Sequence, residues 1–160
     1  MRTQRGFLLL EALIGIVIFS IGVLAIISLQ ATAISAQSDA QYRIEAAKLI
    51  NDLFGTLTLN VDRSSSSHLQ TSLLTYAHQP TGSLESCAFS GSASNNADVA
   101  NWVSAVTTTP GSRLPGTTTA MQQILIDTSA TEYNKVTLTV CWQAANDKRT
   151  RRHSVVAYIN

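Results

Sequence analysis

Three sets of residues in this 160-residue chain could do chemistry. Glu11 is a carboxylate set into an otherwise apolar stretch. A charge inside a bilayer costs about 2.5–3.5 kcal/mol on insertion scales, so such an acid marks function unless it snorkels to the headgroups, one helical turn away here. Cys87 and Cys141 do not have metal-motif spacing. An even cysteine count in an oxidising compartment favours one disulfide; the alternative is two separately buried thiols. Lys148, Arg149, Arg151 and Arg152, next to His153, form a basic cluster. It could take up DNA, an anionic surface or an acidic partner, or be a solvated turn that discourages edge pairing. No aromatic residue interleaves with it, which weakens a single-strand nucleic-acid reading. His68, His78 and His153 have no recognisable nucleophile or ligand partner in the sequence, and no Gly-x-Ser-x-Gly elbow or phosphate loop occurs. No enzymatic activity, cofactor or metal site is expected.

Glu11 must be positioned by the element around it. Residues 7–29 are apolar or small except for Glu11, Ser20 and Ser28. As a helix this run covers roughly 35 Å, enough for a hydrocarbon core about 30 Å thick. Arg2 and Arg5 keep the N-terminal end cytosolic under the positive-inside rule, which places the rest of the chain across the membrane. A cleaved signal peptide is the competing reading, with Ala31-Thr32-Ala33 as its cleavage site. Against it, the apolar run is longer than the usual h-region and contains an acid. The charged fraction, 13%, is about half the soluble average, and the 45% apolar content excludes a wholly disordered chain. The length excludes two large domains.

If the chain is cut after Gly6, the new α-amino group on Phe7 lies one helical turn before Glu11, and the two charges become partners within or between helices. With the short basic leader and the apolar run, Arg5-Gly6-Phe7-Leu8-Leu9-Leu10-Glu11 closely resembles the type IV prepilin motif. The resemblance covers about the first thirty residues. It implies a prepilin peptidase that cuts after Gly6 and methylates Phe7, with the helix held in the inner membrane until assembly. It also implies that Glu11 neutralises the Phe7 amine of a neighbouring subunit. Major pilins of the family carry a proline in the second half of this helix; residues 20–28 have none, which points away from a major subunit. Gly15 and Gly22 share a face that could admit a close helix, or simply reflect the abundance of glycine in membrane helices.

The helix is expected to continue from Phe7 to about Thr58, on the order of 75 Å. Tyr42, Ala46, Leu49, Ile50, Leu53 and Leu57 form its apolar stripe, and Asp39 with Arg43, Glu45 with Lys48, and Lys48 with Asp52 line a solvated face. Gly55 marks its approaching end. The serine-rich residues 62–67 read as a loop, and Leu69, Leu73, Leu74 and Tyr76 as a short packed segment before Pro80-Thr81-Gly82. Asn96 or Asp98 caps a helix carrying Val99, Trp102, Val103 and Val106. Residues 107–119, with Pro110-Gly111 and Leu114-Pro115-Gly116, read as a loop. Strands follow at 123–127, at 136–143, where Val136, Leu138, Val140 and Trp142 alternate with Thr137, Thr139 and Cys141, and at 153–159 after a polar turn over 144–152. Cys87 falls in an irregular segment. The fold class is α+β, a long helix packed on a small antiparallel sheet. Its divisions are a leader (1–6), a transmembrane and assembly helix (7–29), an amphipathic continuation (30–58) and a periplasmic head (59–160).

The segments around Asp98 and Trp102, Leu114-Pro115-Gly116 and Val140-Cys141-Trp142-Gln143 also look like minor pilins of the PilV type. That resemblance implies a pilin-like fold and a subunit that joins other minor pilins and the major pilin, primes pilus assembly and sits at the tip, with roles in twitching or adhesion. The rival is a pseudopilin of a type II secretion system, which shares the leader and helix. Many pseudopilins hold calcium, and no dense acidic loop follows Thr107 here.

Overall fold

The structure, a computed structural model, describes residues 4–107, 114–145 and 147–160, apart from the side chains of 4–6. The expected leader residues Met1-Arg2-Thr3, the side chain of Arg5 and the Pro110-Gly111 turn lie outside the described residues. The chain divides into two units, Met1–Gln41 and Tyr42–Asn160.

Among its described residues the first unit is helix, the opening part of α1 (Gln4–Asn60). It is long and apolar enough to cross a membrane, and its apolar window is not buried against the protein. Its hydroxyls turn back on the helix: Ser20 Oγ donates to the Ile16 carbonyl (2.7 Å) and Thr32 Oγ1 to that of Ser28 (3.1 Å). Polar side chains satisfied in this way can lie against hydrocarbon.

The second unit is α+β and contains the rest of α1. The apolar stripe forms as expected, with Ala46, Leu49, Ile50, Leu53 and Leu57 all buried. The helix ends two residues past the expected Thr58 because its terminus is held: the Val61 N–H donates to the Leu57 carbonyl (3.1 Å), and Arg63 Nη1 donates to that of Thr58 (2.6 Å). The serine run is not all loop. Ser65 caps α2 (Ser66–Leu74) by accepting the His68 N–H, so the last two serines lie inside the helix. Leu69, Leu73 and Tyr76 enter the core, while Leu74 is half exposed.

A hairpin not anticipated from the sequence follows, β1 (Thr81–Ser83) with β2 (Ala88–Ser90); Thr81 and Gly82 are therefore strand residues. Gly82 sits at φ +118°, where a Cβ would run into the Ala88 carbonyl. Next comes α3 (Ala97–Thr107), with Asn96 as its cap: Asn96 Oδ1 accepts the Asp98 N–H at 2.9 Å. The main sheet is antiparallel in the order β3 (Gln122–Asp127), β4 (Lys135–Trp142), β5 (Arg151–Tyr158). Val136, Leu138, Val140 and Trp142 face a core shared with the α1 stripe, Val99, Trp102, Val106 and Leu114. Trp102 Nε1 donates to the Leu49 carbonyl across that core at 2.8 Å.

The expected turn over 144–152 is shorter than the sequence suggested. Arg151 pairs with Trp142 and Arg152 with Cys141, so two of the four clustered cations are strand residues. The opposite face of β4 is also drier than alternation implies, because Thr139 and Cys141 are buried as well. Cys87 and Phe89, which cluster with Cys141 and Met121, cover it.

Candidate functional site

At the N-terminal end the elements place Phe7 and Glu11 on α1, one turn apart on an uncovered helix surface; Phe7 is 72% exposed. Gly6 lies within the same helix. A Cβ at Gly15 or Gly22 would meet nothing within 4 Å, so no contact inside the chain requires glycine at either position. Exposed leucines and isoleucines surround Glu11. What this surface offers is apolar helix area and one carboxylate.

Cys87 and Cys141 form a disulfide with Cα atoms 6.0 Å apart. The bond joins residues 54 apart in sequence and ties the β1–β2 hairpin to the C-terminal end of β4, the central strand of the three-stranded sheet. Cys87 closes the hairpin turn at φ +50°, a left-handed conformation unusual for a residue with a Cβ. Its N–H donates to the Ser83 carbonyl (3.0 Å), while that of Cys141 donates to Met121 (2.9 Å).

Three of the four basic residues, Lys148, Arg149 and Arg151, line one recess, and Arg152 turns to the hairpin. Arg151 Nε and Nη2 pair with the Asp147 carboxylate at 3.2 and 3.4 Å. Arg152 Nη1 donates to the Leu84 carbonyl of the hairpin turn at 2.7 Å, a second tie beside the disulfide. Lys148 and Arg149 are exposed and line a shallow recess with Asp147, Thr150 and Arg151. For an anion, this leaves a smaller positive surface than the sequence cluster implied.

The histidines occupy three different settings. His68 does have neighbours that the sequence reading did not foresee: Ser64 Oγ lies 2.7 Å from Nδ1, and an Asp62 oxygen lies 3.5 Å from the same nitrogen. A nucleophile relay needs the hydroxyl and the acid on opposite ring nitrogens, so this exposed trio builds the start of α2 rather than a catalytic dyad. Asp62 is held below the usual carboxylate range by the Ser64 N–H and hydroxyl. His153 is half-buried on β5 opposite Val140. His78 is buried between α2 and β3, and burial lowers its pKa.

A further polar cluster around Asp98 escaped the sequence reading. Tyr76 Oη and Asn60 Nδ2 both donate to Asp98 Oδ2, at 3.0 and 2.9 Å. Burial, and then the Asp98 bond, raise the Tyr76 hydroxyl pKa. Among the described residues no group of three or more His, Cys, Asp or Glu could hold a metal ion. No family model matches this chain, and neither does any curated protein or solved structure.

Proposed function

We propose that this chain is a type IV minor prepilin of the PilV type, a structural assembly subunit. One observation carries the reading: Arg5-Gly6-Phe7 and Glu11 stand at the required spacing at the head of a helix long and apolar enough to cross a membrane. Prepilin peptidase hydrolyses the Gly6–Phe7 bond at the cytosolic face, releases the leader and methylates the new amine. The helix anchors the subunit in the inner membrane, with the head in the periplasm, until assembly moves it into the pilus at the cell surface.

In the filament, Glu11 meets the Phe7 amine of an adjacent subunit. Such a pair enforces register, because leaving either charge alone in apolar surroundings costs far more than the pair gains. The α+β head with its disulfide then selects neighbouring minor pilins.

Mass spectrometry of the mature N-terminus, in cells with and without prepilin peptidase, tests the reading. The expected result is N-methylated Phe7 that disappears without the peptidase, and a Gly6→Val chain that stays uncut. A mature start near Ile34 would overturn the proposal. Loss of pili on deletion then separates the minor pilin from a secretion pseudopilin, which would impair protein secretion and spare twitching.

A further inference from the structure

His78 stands outside the assembly reading. It follows α2, and its backbone bridges to β3 in both directions, N–H to the Ile124 carbonyl (3.1 Å) and carbonyl from the Ile124 N–H (2.9 Å). The residue is 6% exposed. Its Nδ1 accepts the backbone N–H of Ser94 at 3.2 Å, so that nitrogen carries no proton. The ring proton therefore resides on Nε2, which is buried without a hydrogen-bond partner among the described residues.

Ser94 is the hub of loop 92–96. Its Oγ donates to the Thr75 carbonyl (2.6 Å) and accepts the Asn96 N–H (3.1 Å), and Asn96 in turn caps α3. The loop lines a recess of about 590 Å3 together with Leu74, Thr75 and Ala77. One imidazole nitrogen thus helps to set a loop, a recess and a helix start.

Among the described residues, burial depresses the His78 pKa and no charged neighbour offsets it. Loop 92–96 carries no titratable side chain. On β3 the titratable group is Asp127, at the far end of the strand and bound to the Ser129 N–H. On α2 it is His68, which faces Ser64 and Asp62. Tyr76 gives its hydroxyl to Asp98 at the start of α3.

We propose that His78 is an acid-sensitive latch: neutral, it holds loop 92–96 and the α3 cap through Nδ1; protonated, it sets an N–H against the Ser94 N–H and releases the loop. The sign follows from linkage. The folded state binds this proton less readily than the unfolded state, whose value is near 6.5, so the stabilisation is complete above that pH and declines as pH falls below it.

Hydrogen exchange of the full chain in detergent, corrected for intrinsic pH dependence, tests the latch. Between about pH 7.5 and 5, exchange at Ser94 and Asn96 should accelerate by about tenfold or more, reversibly. His78→Gln, which keeps a neutral acceptor, should exchange at the same rate across that range. Unchanged protection in the parent chain, or an equal loss in His78→Gln, overturns the proposal. Should His78→Gln fail to fold, the 15N signals of the parent ring decide. Protonation of Nδ1 in step with Ser94 exposure supports the latch, and a charged ring beside a protected Ser94 removes it.

Discussion

Cys87 shows how one residue can fix a region that has little core of its own. The β1–β2 hairpin has three residues per strand, too few to persist alone in water. Its hold on the sheet comes from the bond to Cys141, the buried Phe89 ring and the Arg152 bond to Leu84. Replacing both cysteines with serine should therefore lower the stability of the full chain by about 2–5 kcal/mol. The urea midpoint in detergent, compared with that of the parent chain with and without reductant, measures this; equal midpoints would show that the hairpin stands without its tie. Residue identity alone made the cysteine pair legible. The partners of His68 and the Tyr76–Asp98–Asn60 cluster were not legible, because residues 22 to 38 apart in the last case meet only through the fold.

At the scale of elements, periodicity was a good guide wherever one face is buried and one is wet. The α1 stripe and the α3 positions Val99, Trp102 and Val106 lie where helical spacing put them. Gly116 makes a sharp test of the turn that leads to β3. It sits at φ +63° with its α-carbon facing the Gln143 carbonyl, so a Cβ has nowhere to go. Gly116→Ala should cost about 1–3 kcal/mol by thermal or urea unfolding, whereas a change under about 0.5 kcal/mol would mean that the turn adapts. Removing the α3 cap with Asn96→Ala should cost about 1 kcal/mol in the same assay. Periodicity failed at the short pieces. Three-residue strands are too brief to alternate, the serine run concealed a cap because capping is decided by one hydroxyl, and Arg151 and Arg152 joined β5 because ladder register overrides local polarity.

At the scale of the whole molecule, the division at Gln41 assigns the entire apolar core to the second unit, which has its own part of α1 to complete it. A chain beginning at Tyr42 should consequently fold alone, form the Cys87–Cys141 bond and unfold in one cooperative step, as followed by circular dichroism and non-reducing mass spectrometry. Failure to form that disulfide or to unfold cooperatively would show that the first unit is needed for the fold. The central strand carries a last implication. From Leu138 to Trp142 every β4 side chain is buried, the inner face by α1 and α3 and the outer by the tied hairpin. A stretch with no wet side offers sequence drift no neutral position. In a saturation library residues 138–142 should stand out as a block intolerant of polar replacement on alternate and intervening positions alike, and diversification of the head would have to proceed around it.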